Sequence, residues 1–117
     1  MTGSVSYHSG LSAEETVARH YSERGFRVAA QRFRTKSGEV DLIVQKDDAF
    51  VFVEVKKSRN VARAAERVSQ RQLARIFETA SEFLASQPNG QETDCRIDIG
   101  LVDGSGRVEI IENVLAA

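Results

Sequence analysis

Two apolar runs in this chain carry acids where a buried strand should hold none. They are Gly38-Glu39-Val40-Asp41-Leu42-Ile43-Val44 and Phe50-Val51-Phe52-Val53-Glu54-Val55-Lys56, joined by Gln45-Lys46-Asp47-Asp48-Ala49. With Asp47-Asp48 as the turn, Lys46 pairs with Ala49. Counting back along the hairpin sets Asp41 opposite Glu54 and Glu39 opposite Lys56. Opposed residues share a sheet face, with Cβ atoms ~4.5–5.5 Å apart. Two carboxylates so placed repel unless something cationic stands between them. In the second run Val51, Val53 and Val55 face one way and Phe50, Phe52, Glu54 and Lys56 the other. Apolar residues on both faces predict a central strand covered on both sides.

The flanking sequence supplies helices for those faces. Ser12-Ala13-Glu14-Glu15 is a capping box, Ser12 the N-cap, opening a helix from Ala13 to Arg24 that Gly25 stops. Leu11, Val17, Ala18 and Tyr21 form its apolar stripe, with Glu14 in the middle of it. Phe26 to Arg34 alternates as a strand, and Thr35-Lys36-Ser37-Gly38 is a turn. Ser58 to Ala64 reads as a loop. The spacing predicts a long helix from Ala65 to Ser86, burying Ala65, Leu73, Ile76, Ala80, Phe83 and Leu84 with Val68 on the flank. Gln72 lies at the edge of that stripe. Arg96 to Val102 and Arg107 to Ile111 are strands around the turn Asp103-Gly104-Ser105-Gly106. The predicted fold is α/β, a central mixed sheet flanked by helices in the order α-β-β-β-α-β-β.

The 117 residues suffice for one core. The expected organisation is a loose tail over residues 1–10 and a single domain over 11–117. The tail lacks the cationic flank and apolar stretch of a signal peptide, and no run approaches a membrane span. One cysteine, Cys95, rules out an internal disulfide and suits the cytoplasm, while Cys95 with His8 and His20 makes a poor zinc set. Net charge is −1, but the charges are uneven. Residues 56–75 hold seven cations against Glu66, and residues 76–117 hold eight acids against Arg96 and Arg107. Such a basic stripe can be an electrostatic footprint for nucleic acid. The candidate contacts are Arg32, Lys36, Lys57, Arg59, Arg63 and Arg71. The bland reading of the arginines from Arg63 to Arg75 is a solvated helix face.

Asp41 and Glu54 offer the hard oxygen ligands that Mg²⁺ or Mn²⁺ takes. Glu14 would add a third ligand and the Val55 backbone carbonyl a fourth. Lys56 would orient water or neutralise developing charge. Glu39 and Gln72 are auxiliary candidates. Asp98 reads as structural support. The bland reading of Glu39 is a cross-strand ion pair with Lys56.

Asp41 followed by Glu54-Val55-Lys56 resembles the motif of the PD-(D/E)XK nucleases, a superfamily that includes restriction endonucleases and archaeal Holliday-junction resolvases. Gly38-Glu39-Val40-Asp41-Leu42-Ile43 with Phe52-Val53-Glu54-Val55-Lys56 is similar to the small bacterial YraN family of endonuclease-like proteins. Glu14 with Val17, Gly25-Phe26 and Arg96-Ile97-Asp98-Ile99 match further family positions, so the resemblance extends over nearly the whole chain. It implies a restriction-endonuclease-like core and a metal-dependent nuclease acting on DNA, with branched or damaged forms as the candidate substrates. It leaves a homodimer open. Two positions depart from the pattern: Arg32 stands where Asn is usual, and Gln72 where Lys is usual. These departures point to an alternative, a nucleic-acid-binding module that keeps the fold without turnover. A structural, partner-binding protein is the third reading.

Overall fold

The computed structural model describes residues 13–57 and 68–115. The loop expected over Ser58–Ala64, the cap at Ser12, Leu11, the tail, Ala65, Arg59 and Arg63 lie outside the described residues. A helix, α1, spans 13–22. Strands β1 (Arg27–Thr35), β2 (Gly38–Lys46) and β3 (Ala49–Lys57) follow, then helix α2 (Gln70–Leu84), a 3-10 turn at Gly90–Glu92, and strands β4 (Cys95–Val102) and β5 (Val108–Ile111). One sheet holds the strands in the order β1-β2-β3-β4-β5. β3 and β4 run parallel and every other neighbouring pair is antiparallel. A parallel pair needs a crossover, and α2 lies in it. The mixed sheet and the element order are those the sequence predicts.

The helices cover opposite faces. Ala13, Val17 and Tyr21 of α1 pack with Leu42, Val44, Val51, Val53 and Val102. Leu73, Ile76, Ala80 and Leu84 of α2 pack with Ile43, Phe50, Phe52 and Ile97. Phe52, with no exposed surface, is the centre of that second layer. Each large side chain so buried contributes about 1.5–3 kcal/mol. The alternation along β3 thus sends its valines to α1 and its phenylalanines to α2. Phe83 is only partly buried, stacking edge-on against Phe33, Phe50 and Phe52.

Two close features shape the α1 side. Gly25, at φ +90°, takes the left-handed conformation that ends the helix. Gly100 on β4 lets α1 approach closely, since a Cβ there would stand 3.0 and 3.1 Å from the Val17 methyl carbons.

Three boundaries differ from the sequence reading. α1 ends at residue 22, with 23–25 in a turn. α2 begins at Gln70 rather than near Ala65, because Ser69 is its N-cap. Ser69 is extended (φ −83°, ψ 161°) and its hydroxyl accepts from the Gln72 N–H. The helix closes at Leu84, two residues before Ser86. In β1 the expected alternation of Phe26, Val28 and Ala30 is broken by a register shift between Val28 and Ala30, and Val28 is exposed. A bulge moves later side chains out of phase, and an edge strand tolerates it.

Candidate active site

The β2–β3 register pairs Lys46 with Ala49, Val44 with Val51 and Leu42 with Val53. The same count carries Asp41 to the side of Glu54. Beyond Leu42–Val53 the Val55 N–H donates instead to Asp41 Oδ2 at 2.8 Å. That bond fixes the Asp41 carboxylate at the end of the ladder. Glu54 is 7% exposed, one of the few buried charged groups among the described residues.

α2 reaches the pair through its first turn. The Ser69 cap, worth about 1 kcal/mol in helices generally, sets Gln72 at the third helical position. The Gln72 side-chain amide donates to Glu54 Oε2. Lys56 Nζ lies 3.9 Å from the same oxygen. Asp41, Glu54, Lys56 and Gln72 therefore converge where β2, β3 and α2 meet.

Burial pushes the Glu54 carboxyl up to about 8, and the adjacent Asp41 pushes it the same way; Lys56 and Gln72 pull it back only partly. At neutral pH Glu54 thus keeps a proton that it shares with Asp41 through a hydrogen bond, which meets the mutual repulsion when no other cation is present. A divalent cation would meet it equally, and the donor chemistry fits: two hard carboxylates suit Mg²⁺ or Mn²⁺. The described residues include no group of three His, Cys, Asp or Glu side chains close enough to hold a metal. The fit therefore rests on the carboxylate pair.

The other sequence candidates fall in different places. Glu14 is half-buried, and its carboxylate pairs with Arg32 Nε at 3.5 Å. Arg32 is held at φ +50° inside β1, a left-handed conformation unusual for a side chain of its size. Glu39 lies across from Arg34, with their side chains 3.5 Å apart. The expected Glu39–Lys56 ion pair is absent, because Arg34 takes Glu39 while Lys56 turns to Glu54. Lys36, Lys57 and Arg71 are exposed.

Asp98 is fully buried and serves the fold. It accepts from the Tyr21 hydroxyl (2.6 Å), the Arg96 Nε (3.0 Å) and the Asn113 N–H (2.9 Å). Arg96 also reaches Glu112. The network ties α1, β4 and the segment after β5 together. Sequence reasoning missed Thr79, fully buried on α2 with its hydroxyl donating to the Arg75 carbonyl. Its position in the helical stripe was the available signal.

A family model described as "Uncharacterised protein family UPF0102" matches residues 13–102. The chain belongs to UPF0102. That match takes in both site strands and all of α2. A UPF0102 protein of Cereibacter sphaeroides strain KD131 is 56% identical over 117 residues, 100% of both chains. Another, of Roseobacter denitrificans, is 50% identical over 114 residues, covering 97% of this chain and 88% of the relative. A UPF0102 protein of Ruegeria pomeroyi is 49% identical over 111 residues, 95% and 90% of the two chains. Among the described residues no helix is long and apolar enough to cross a membrane.

Proposed function

We propose that this UPF0102 chain is a Mg²⁺- or Mn²⁺-dependent nuclease of the PD-(D/E)XK, YraN-like type, hydrolysing phosphodiester bonds in DNA of branched or damaged form. The observation that carries the reading is the pair of a buried Glu54 and a half-buried Asp41, with Lys56 beside it. Two carboxylates this close suit a site that recruits a cation and a phosphate. When bound, the metal ion supplies an activated water and a clamp on phosphate oxygens.

The chain's own groups have separate tasks. Asp41, held by the Val55 N–H, and Glu54, oriented by Gln72, present oxygens to the cation. Glu54 must release its proton for this, so metal affinity rises with pH toward 8. Lys56 carries positive charge to the phosphate as negative charge develops there. Titration of Mn²⁺ into the parent and into Glu54→Ala tests the assignment. Binding to the parent that disappears in the variant is expected. Equal heats from both chains refute it, as does unimpaired DNA cleavage by Asp41→Ala.

One observation favours a second reading, a binding module without turnover. Gln72 places a neutral amide on Glu54, where the family pattern has a cation. That reading predicts DNA binding in chelator with a steep salt dependence and no product with any metal.

A further inference from the structure

We infer that a second phosphate-binding site, a cleft between the β1–β2 turn and α2, holds the backbone phosphate one step along the strand from the one hydrolysed. The inference rests on the reading of Asp41 and Glu54 as the centre that meets a phosphodiester. The cleft has a volume of about 450 Å³, and Arg34, Lys36 and Arg75 line it together with Thr35, Ser37 and Glu39. Three cations stand against one carboxylate. Glu39 is already engaged by Arg34. Ser37 donates its hydroxyl to Glu82, and its N–H to the Thr35 hydroxyl. Among the described residues neither the Lys36 nor the Arg75 side chain has an ion-pair partner. Two cations without an ion-pair partner among the described residues, with Glu82 held at Ser37, leave the walls of this concave surface net positive and focus positive potential into it. The planar fork of an arginine matches a phosphate's oxygens, and a lysine adds a point charge.

Two independent routes place this cleft beside the carboxylates. On β2, Glu39 lines the cleft and Asp41 follows two residues later, ~6.6 Å along the strand. On α2, Gln72 touches Glu54, and Arg75 follows one turn later on the same side, ~4.5 Å along the axis. A nucleic-acid strand laid across Asp41 and Glu54 toward the N-terminal end of β2 meets the cleft next. Phosphate contacts of this kind set the register of a strand without reading its sequence.

The test compares the parent with Lys36→Gln/Arg75→Gln, which keeps the side-chain stems and removes both charges. Binding of a fluorescein-labelled nicked DNA duplex is followed by anisotropy in EDTA over a range of salt. The double variant should lower the slope of log affinity against log salt by about 2 and weaken binding roughly 10- to 100-fold at 0.1 M salt. Inorganic phosphate competing as well as the labelled duplex would make this a free-anion site and overturn the assignment to a nucleic-acid backbone. An unchanged slope, or no DNA binding by the parent, also overturns it. Mn²⁺ titration into the parent without DNA judges the metal centre separately. No Mn²⁺ binding with a lowered slope sinks the centre and leaves the cleft as a phosphate site. Mn²⁺ binding with an unchanged slope does the reverse.

Discussion

Glu54→Gln should leave the metal-free protein's stability nearly unchanged near pH 5 and raise it near pH 8.5. Glutamine is shaped like the protonated acid. Its amide can donate toward Asp41 as the shared proton does, and its carbonyl still accepts from Gln72. In the parent, burial and then Asp41 move the Glu54 carboxyl from 4.5 up to about 8. Between those values the folded protein holds a proton that the unfolded chain has released. Stability from this group is therefore fully present below about pH 4.5 and is lost as pH rises through about 8. At about 1.4 kcal/mol per tenfold change, the interval bounds the loss near ~5 kcal/mol. Water reaches the half-buried Asp41, so screening lowers the expected loss to about 2–3 kcal/mol. Urea unfolding of both chains in EDTA measures it. Every other titrating group is common to the two proteins, so the difference between them isolates Glu54. That difference should grow from near zero to about 2–3 kcal/mol between about pH 5 and about pH 8.5. A difference that does not change with pH would refute the shared-proton account. Adding Mn²⁺ at 100 times its dissociation constant should then return about 2.7 kcal/mol to the parent alone.

Tyr21→Phe removes one of the donors to the buried Asp98 and should cost about 1.5–3 kcal/mol in urea unfolding; a loss under about 0.5 kcal/mol would show that Arg96 and the Asn113 N–H suffice. Gly100→Ala forces a methyl against Val17 and should destabilise by about 1–3 kcal/mol, with Val17→Ala in the same chain relieving part of that overlap; additive losses in the double variant would contradict the close approach. Arg32→Asn should be more stable than Arg32→Ala by about 0.5–1 kcal/mol, because asparagine tolerates the left-handed backbone there and both variants lose the Glu14 pair equally; equal midpoints would show that the strand relaxes out of that conformation.

The hairpin was the most legible part of the sequence. Period-two alternation in Phe50–Lys56 sorts its side chains onto two faces, and a two-residue turn at Asp47-Asp48 fixes the count that brings Asp41 to Glu54. The order of elements followed from the same local patterns. Other features required the third dimension. A serine inside a helical pattern does not announce itself as a cap, so the periodicity alone sets the start of α2 before Ser69 and does not link that serine to the placement of Gln72. Nothing in an arginine signals a left-handed backbone, so the kink at Arg32 and its pairing with Glu14 were invisible. Counting along the hairpin sets Glu39 beside Lys56, but β2 has two partners and the β1 side supplies the nearer cation, Arg34. Arg34 and Arg75 lie 41 positions apart in the chain, and only the packing of α2 over the start of β2 makes them neighbours.

The bulge and kink in β1 have a consequence beyond their own energies. β1 is one margin of the sheet, where unpaired backbone groups invite a strand from another molecule. A template for such addition must be straight over several residues. The shift between Val28 and Ala30 and the left-handed Arg32 interrupt β1 twice, and Arg27, Arg32 and Arg34 line it with like charge. The opposite margin, β5, is only four residues long. Among the described residues neither margin offers a long flat edge, so the open ends of the sheet resist the strand-by-strand growth that leads to aggregates.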